Sequence, residues 1–146
     1  MTVLRWAHVI EIKGDVMAEV RVERTEDGFR AVNDRGAQVA IGGGDTPGVF
    51  TPTELLMAAL GGCELVTVEP LTAKRGHRMA RLAATVQADK IATSTLGTIT
   101  ITYDVELPAG DEKAAEVLKA VAKRVHDSYC TVGNALKEPM KVEQIV

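Results

Sequence analysis

TPTELLMAALGGCELVTVEPLTAKRG, residues 51–76, predicts the long helix around which the rest of the chain is organised. It begins with helix-start signals, because Thr51 is a good N-cap residue, Pro52 suits the first helical position, and Glu54 stands three residues after the cap. Gly76 is a typical stop signal, and the lysine and arginine before it suit the negative end of a helix dipole. The LLMAAL run is apolar on every side, so we expect a long central helix that is buried all round in this part.

The segments on both sides of this helix alternate apolar and polar residues with the period of two that is typical of strands. Before the helix the pattern predicts four strands, at residues 5–12, 16–23, 29–34 and 36–45, with turns at Gly14-Asp15 and Asp27-Gly28. After the helix it predicts strands at residues 80–88 and 98–107, an amphipathic helix over residues 108–129, a short helix capped by Ser128, and a last strand at residues 140–146. This order of elements predicts an α+β fold with helices packed on a largely antiparallel sheet.

Composition and charge limit the classes of function. The chain has 146 residues, which predicts one domain over residues 1–146, and its core must be aliphatic because 46% of residues are apolar and only 3% are aromatic. A net charge of −3 gives no electrostatic reason to expect nucleic acid or an anionic membrane as a partner. No uninterrupted apolar run reaches about 18 residues, and the charged start MTVLRWAHVIEIKGD is not a signal peptide, so we expect a soluble cytoplasmic protein without a membrane span.

Cys63 lies in the predicted central helix directly after two glycines, which cost about 1 kcal/mol each relative to alanine in a helix interior. One explanation for the glycines is close packing against another helix. The other is that something must approach the sulfur, either a substrate or a second thiol. On the second interpretation Gly61 and Gly62 make room beside Cys63, and Gly62→Val is expected to block disulfide formation more than folding. Considered alone, a buried cysteine is most often an inert small hydrophobe.

Cys130, the other cysteine in the sequence, changes this balance. It stands two positions after the predicted cap Ser128, where free N–H groups and the helix dipole favour a thiolate with a low pKa. A low-pKa thiol and a helix-buried thiol are the minimal pair for thiol redox chemistry. One sulfur attacks and becomes a sulfenic acid, and the other condenses with it to a disulfide.

Other kinds of site find little support in the sequence. A metal is not expected, because His126 and Cys130 are the one histidine–cysteine pair at a ligand spacing, whereas structural zinc usually takes four ligands. The glycine-rich loop before the central helix is not followed by the Gly-Lys-Ser/Thr of a phosphate-binding loop. The Gly-x-Ser-x-Gly motif of hydrolases does not occur. We therefore expect no metal site.

Two stretches together, TPTELLMAALGGCELVTVEPL and HDSYCTVGNALKEPMKVEQIV, resemble the OsmC/Ohr family of osmotically inducible and organic hydroperoxide resistance proteins. The order of elements matches over essentially the whole chain. The resemblance implies an OsmC-like α+β fold, with largely antiparallel sheets packed on a long central helix, in an intertwined homodimer with active sites at the subunit interface. It also implies a thiol peroxidase that reduces organic hydroperoxides without a cofactor, whether metal, haem or flavin. Cys63 matches the peroxidatic cysteine and Cys130 the resolving cysteine, and an external dithiol such as a lipoyl group reduces the resulting disulfide.

The same resemblance points to an activating pair, because an ionised Cys63 in an apolar helix needs a cation nearby. The family uses an arginine that is oriented by a glutamate near the start of the central helix. Arg24 is the candidate arginine, since it continues the apolar face of its predicted strand, and Arg30 is the alternative. Glu54 is the candidate glutamate, with a capping-box partnership with Thr51 as the other interpretation.

The sequence departs from the family pattern at two positions. In active peroxidases the glutamate follows the proline directly, ten residues before the cysteine, whereas here that place holds Thr53 and Glu54 stands nine before Cys63. Thr131 stands where a proline often follows the second cysteine. These departures favour a less characterised OsmC-like branch. The alternative function is that of a non-enzymatic homodimer that binds a small apolar ligand and leaves its cysteines idle.

Overall fold

The structure is a computed structural model, and it describes residues 17–146. They belong to two compact units that divide between Thr51 and Pro52, and each unit is described by itself. The strand predicted at residues 5–12 and the turn predicted at Gly14-Asp15 lie outside the described residues. The single-domain prediction stays a prediction.

The N-terminal unit holds a three-stranded antiparallel sheet in the order β1, β2, β3. Its strands are β1 Val20–Arg24, β2 Phe29–Asn33 and β3 Gln38–Ile41. The backbone N–H of Thr25 donates to the carbonyl oxygen of Gly28 at 2.9 Å, which closes the turn between β1 and β2. The strands predicted at residues 29–34 and 36–45 are therefore confirmed, together with the Asp27-Gly28 turn.

The C-terminal unit combines three helices, a helical turn and one long β-hairpin. Its elements, in chain order, are α1 Pro52–Lys74, β4 Arg81–Ala92, β5 Thr95–Glu106, α2 Ala114–Arg124, a π-helical turn Val125–Tyr129 and α3 Thr131–Lys137. The hairpin strands β4 and β5 pair antiparallel, with Val86 opposite Ile101. The long helix α1 packs against β4, α2 and α3. The predicted central helix is confirmed, and so is an α+β class with antiparallel sheets and packed helices.

The core of the C-terminal unit forms around one stripe of α1. This stripe repeats every four residues and is buried throughout, and it consists of Leu60, Glu64, Val68 and Thr72. Aliphatic residues of α2 and of the π-helical turn complete the buried cluster, namely Leu118, Val121 and Val125. The inward face of β5 packs on this cluster with the predicted alternation, through Ile99, Ile101, Tyr103 and Val105. One side of α1 therefore carries most of the core contacts of this unit.

The opposite side of α1 contradicts the prediction of burial all round. Ala58, Ala59 and Gly62 are exposed, and Val66 is 71% exposed. At 100° per residue these four positions fall within about one quadrant of the helix, away from the buried stripe. We call them the apolar face of α1. The sequence is apolar on this side, but the described residues of a single chain do not cover it.

The last third of the chain departs from the prediction in two places. The amphipathic helix begins at Ala114 rather than at residue 108, because Gly110 adopts a left-handed conformation with φ of +82°. Its loop is closed by the Ala114 N–H, which donates to the carbonyl oxygen of Asp111 at 3.3 Å. The strand predicted at residues 140–146 is absent, because these residues have no regular secondary structure. Among the described strands, β4 and β5 pair only with each other.

By length and composition α1 is apolar enough to cross a membrane, although the core helix of a soluble protein passes the same test. In the C-terminal unit this helix packs against β4, α2, α3 and the π-helical turn, and it carries the buried Glu64. The length criterion is therefore a weak indication of a membrane span. The expectation that no membrane is a partner stays a prediction.

Gly61 marks a close approach of α1 to β4. A Cβ atom at this position would lie 2.8 Å from Cγ2 of Val86, which is closer than two carbon atoms tolerate. Close packing is thus the right explanation for Gly61, although its partner is a strand rather than a helix. We expect Gly61→Ala to lower the free energy of unfolding by about 1–3 kcal/mol through overpacking, despite the better helix propensity of alanine.

Urea unfolding measures this change, and Val86→Ala supplies the control because it removes the atom that the new methyl group would strike. The double variant should be more stable than the sum of the two single effects predicts. Strictly additive effects would show that Gly61 is not limited by Val86.

Candidate functional site

Two cysteines that are distant in the sequence are neighbours in the C-terminal unit. Cys63 lies in the middle of α1 and is partly exposed, whereas Cys130 is fully buried. Cys63 packs against the buried cluster that contains Cys130, and both are free thiols. Cys63 also acts on the pKa of Cys130. The fold therefore brings together the two sulfurs that the sequence singled out.

Cys130 is held by the break between the π-helical turn and α3. Its backbone is extended, with φ −76° and ψ 101°, and its N–H donates to the carbonyl oxygen of Val125 at 2.9 Å. The cysteine itself is the N-cap of α3, because its Sγ accepts the N–H of Gly133 at 3.2 Å. The prediction that Ser128 caps this helix is therefore wrong. A π-helical turn holds more residues than an α-helical turn, and this places Cys130 at the N-cap position of α3.

The electrostatic environment of Cys130 differs from the expectation of a low-pKa thiol. Burial raises the pKa of Cys130, and the neighbouring Cys63 and the charge of Glu64 raise it further. The N–H of Gly133 acts in the opposite direction but does not outweigh the burial. The helix-dipole argument fails because α3 has only seven residues and the sulfur is shielded from solvent.

The raised pKa of Cys130 predicts how the stability of the protein depends on pH. The folded state holds the Cys130 proton more tightly than the unfolded chain does, so the stabilisation is complete below the pKa of an unfolded cysteine, about 8.5, and is lost as the pH rises above it. We expect the free energy of unfolding of the reduced protein to fall as the pH rises above about 8.5. Urea titrations across this range should show a smaller fall for Cys130→Ala. An equal fall in both proteins would contradict the assignment.

The glycines before Cys63 do not border the second sulfur. A Cβ atom at Gly62 would meet no atom within 4 Å, and Gly61 faces β4. The expectation that these two residues make room for the second sulfur is therefore wrong, whereas the expectation that they leave room for a substrate at Cys63 stays a prediction. The glycine that borders the sulfur is Gly133, where a Cβ atom would lie 3.2 Å from Sγ of Cys130. Sequence reasoning missed it because the cap geometry that brings Gly133 to the sulfur depends on the π-helical turn.

Glu64, the residue after Cys63, is a buried carboxylate with two partners. It is 2% exposed, and it accepts a hydrogen bond from the Tyr103 hydroxyl at 2.8 Å. Its other oxygen lies 2.7 Å from Nδ1 of His126. Burial raises the pKa of Tyr103, and the bond to Glu64 raises it further, so Tyr103 stays a hydrogen-bond donor at neutral pH. Sequence reasoning took His126 as an ordinary helix residue and did not single out Glu64 or Tyr103.

The carboxylate faces an open cavity of about 540 Å³ in the C-terminal unit. The apolar part of its wall comes from five aliphatic residues, Leu60, Ile99, Ile101, Ala122 and Leu136. Its polar groups are Glu64, Tyr103, Lys123, His126 and Lys137. Gly133 lines the cavity as well and contacts Cys130, so the cavity and the thiol pair share a wall.

The other predicted site residues lie at different places. Glu54 is in the first turn of α1, and nine residues of helix correspond to about 13 Å along the axis and half a turn around it. Within one chain, Glu54 and Cys63 therefore lie on opposite sides of α1. Arg24 is the exposed last residue of β1, and Arg30 in β2 donates to Glu23 at 2.5 Å. The roles predicted for Glu54 and Arg24 stay predictions. In residues 17–146 no three histidine, cysteine or acidic side chains stand close enough to hold a metal ion.

Comparisons with known proteins agree with this fold. A protein of Mycobacterium tuberculosis described as uncharacterised is 34% identical over 125 residues, which covers 83% of this chain and 90% of that protein. The OsmC-like protein of Mycoplasma pneumoniae superposes with a TM-score of 0.66 at 20% identity, over 86% of this chain and 91% of that one. A putative osmotic stress induced and detoxification response protein of Psychrobacter arcticus gives a TM-score of 0.66 at 18% identity, over 89% and 93% of the two chains.

These structural likenesses show the fold alone, but the sequence match goes further. The model of the family described as OsmC-like protein matches residues 42–144, which include all of α1 and both cysteines. The chain therefore belongs to the OsmC-like protein family.

Proposed function

We propose that the protein is a thiol peroxidase that reduces organic hydroperoxides to alcohols through Cys63 and Cys130, as part of a defence against oxidative stress. The observation that carries this proposal is the proximity of two free thiols from distant parts of the chain, since Cys63 packs against the cluster that contains Cys130. Membership in the OsmC-like family supports it, since that family is associated with the stress response.

The reaction has two steps at sulfur and one reductive step. The Cys63 thiolate attacks the terminal oxygen of the hydroperoxide, the O–O bond breaks, and the organic oxygen takes up a proton and leaves as an alcohol. Cys63 is then a sulfenic acid. Cys130 attacks this sulfur, the S–O bond breaks, water leaves and a disulfide forms. An external dithiol, such as a lipoyl group, reduces the disulfide to two thiols and becomes a disulfide itself.

The different environments of the two sulfurs support this division of roles. Cys63 is partly exposed, so a peroxide can reach it, whereas Cys130 is fully buried. Burial raises the pKa of Cys130, so this residue remains a neutral thiol until it is needed. A buried neutral thiol suits the second step, because it reacts only with a sulfenic acid that has already formed beside it.

The activating pair is part of the same proposal. Arg24, with Arg30 as the alternative, supplies the positive charge near Cys63, and Glu54 orients it. Glu54 and Cys63 lie on opposite sides of one helix, so the proposal requires a homodimer whose second protomer completes the site. The apolar face of α1 supports such a dimer, because exposed apolar patches of soluble proteins often mark interfaces. A reducing cytoplasm keeps both cysteines as thiols between turnovers.

Consumption of cumene hydroperoxide with dihydrolipoamide as the dithiol tests the peroxidase. We expect catalytic turnover, and we expect one equivalent of peroxide without reductant to produce a Cys63–Cys130 disulfide that mass spectrometry detects. A protein that shows neither turnover nor this disulfide would overturn the proposal.

A second candidate function is the binding of a small apolar ligand by a dimer with idle cysteines. The cavity of about 540 Å³, with its aliphatic wall, favours this candidate. Labelling with iodoacetamide across a range of pH separates the two functions. If Cys63 reacts well below the ordinary thiol pKa of about 8.5, it is an activated nucleophile and the peroxidase gains; reaction only near or above that pH favours the ligand binder.

A further inference from the structure

The two-cysteine mechanism leaves one buried ionisable group without a role. Glu64 is 2% exposed, stands next to Cys63 in α1, and is held at one oxygen by Tyr103 and at the other by His126. A buried carboxylate costs free energy unless its partners compensate, and packing alone would be served as well by a leucine at this position of the stripe. The position of Glu64 beside the thiol pair therefore points to chemistry.

The second step of the reaction has a need that such a group can meet. Disulfide formation requires Cys130 to lose its proton, because the thiolate is the attacking species. Cys130 is 0% exposed, and burial raises its pKa, so little Cys130 thiolate is present at neutral pH unless a nearby base takes the proton. Gly133 contacts the Cys130 sulfur and also lines the cavity that Glu64 faces, so this cavity connects the carboxylate with the wall around the buried thiol. The charge of Glu64 also raises the pKa of Cys130.

We propose that Glu64 carries the proton of Cys130 during disulfide formation and that Tyr103 and His126 hold its carboxylate for this transfer. The inference rests on the proposed peroxidase. Glu64 takes the proton of Cys130, and the Cys130 sulfur forms a bond to the sulfenic sulfur of Cys63. The S–O bond breaks, and the departing hydroxide leaves as water with the proton that Glu64 delivers. Cys130 is oxidised, the sulfenic sulfur is reduced, and no net proton is gained or lost.

Tyr103 and His126 are positioning residues in this scheme. The Tyr103 hydroxyl meets one oxygen of Glu64 and the His126 ring meets the other, so together they fix the position of the carboxylate. His126 approaches Glu64 through Nδ1, is 53% exposed and lines the same cavity. The charged groups around them in the C-terminal unit are Lys123, which pairs with Asp127, and Lys137, which donates to the carbonyl oxygen of His126 at 2.5 Å.

Glu64→Gln tests the transfer, because it keeps the shape of the side chain and removes its basicity. After rapid mixing with cumene hydroperoxide, dimedone traps the sulfenic acid at Cys63, and mass spectrometry after thiol blocking follows the disulfide. We expect the variant to form sulfenic acid at the parental rate and the disulfide about 100-fold more slowly near pH 7, the scale of a lost general acid–base group. The disulfide rate should then rise about tenfold per pH unit, because the reaction must wait for the Cys130 thiolate.

His77→Gln is the matched control. His77 meets the carboxylate of Asp111 at 2.7 Å in a similarly half-buried pair, but that pair joins two loops away from the thiols. We expect its disulfide rate and pH profile to be parental. If Glu64→Gln does not fold, Tyr103→Phe is the second test of proton transfer by Glu64. Its loss of one donor to the carboxylate should move the pH profile of disulfide formation to higher pH.

The outcomes separate the two proposals. A parental disulfide rate and pH profile in Glu64→Gln, or in Tyr103→Phe where the first variant is unfolded, would overturn the proton transfer and leave the peroxidase intact. Absence of a trapped sulfenic acid in the unchanged protein would overturn the peroxidase itself. A pH profile that moves equally in His77→Gln would show a general effect of losing a buried pair, which also overturns the specific role of Glu64.

Discussion

Cys63→Ser is expected to lower the rate of hydroperoxide reduction by about 1,000-fold or more, to the background of the dithiol alone. A hydroxyl is a far weaker nucleophile than a thiolate at neutral pH, and the serine oxygen cannot form the sulfenic acid on which the second step acts. The substitution is nearly isosteric at a partly exposed position of α1, so the fold should persist. The measurement is peroxide loss with dihydrolipoamide, together with a circular dichroism spectrum of the variant.

Cys130→Ser is the matched comparison, because it removes the second of the two neighbouring thiols. We expect it to consume one equivalent of peroxide at the parental rate and then to accumulate the sulfenic acid at Cys63. Equal rates of turnover in the parent and in Cys63→Ser would remove Cys63 from the mechanism. Loss of the first equivalent in Cys130→Ser but not in Cys63→Ser would reverse the assigned roles.

The sequence was most informative where a local pattern determines the structure. The ends of α1 follow from a capping residue, a proline and a stop glycine, and they agree with the prediction to within one residue. The strands of the hairpin follow from strict alternation, because the pleat sends successive side chains to opposite faces. These signals involve residues that are close in the chain.

The parts that the sequence did not reveal depend on partners that are distant in the chain. The hydrogen bonds of Glu64 join α1 to β5 and to the π-helical turn, and no spacing rule links these three elements. The one available signal was an acidic residue at a position of α1 that continues the apolar stripe of Leu60 and Val68. The raised pKa of Cys130 was missed for a related reason, since burial is set by tertiary packing and outweighs the local effect of a helix start.

The partial exposure of α1 has the same origin. A sequence that is apolar all round predicts burial on all sides, but it does not say whether the covering surface comes from the same chain or from another. The described residues of one chain cover the stripe of Leu60 and Val68 and leave Val66 exposed. An apolar helix face of this kind is stable in water when a second protomer covers it, which agrees with the proposed homodimer.

Val66→Asp is expected to convert this homodimer to a monomer. In a two-fold symmetric interface one substitution places a carboxylate in both protomers, and each buried charge without a partner costs several kcal/mol, so the dissociation constant should rise by about 1,000-fold or more. Analytical ultracentrifugation at micromolar concentration measures the change. Ala120→Asp is the control, because it adds the same charge at an exposed position of α2, outside the apolar face of α1.

The same pair of variants connects the assembly to the chemistry. If the second protomer completes the site around Cys63, the monomeric Val66→Asp protein should lose most of its hydroperoxide turnover, while Ala120→Asp keeps it. A Val66→Asp protein that stays dimeric would remove the apolar face of α1 from the interface. A monomer with parental turnover would mean that one chain supplies every group that activates Cys63, and the arginine would then have to reach the sulfur within the same protomer.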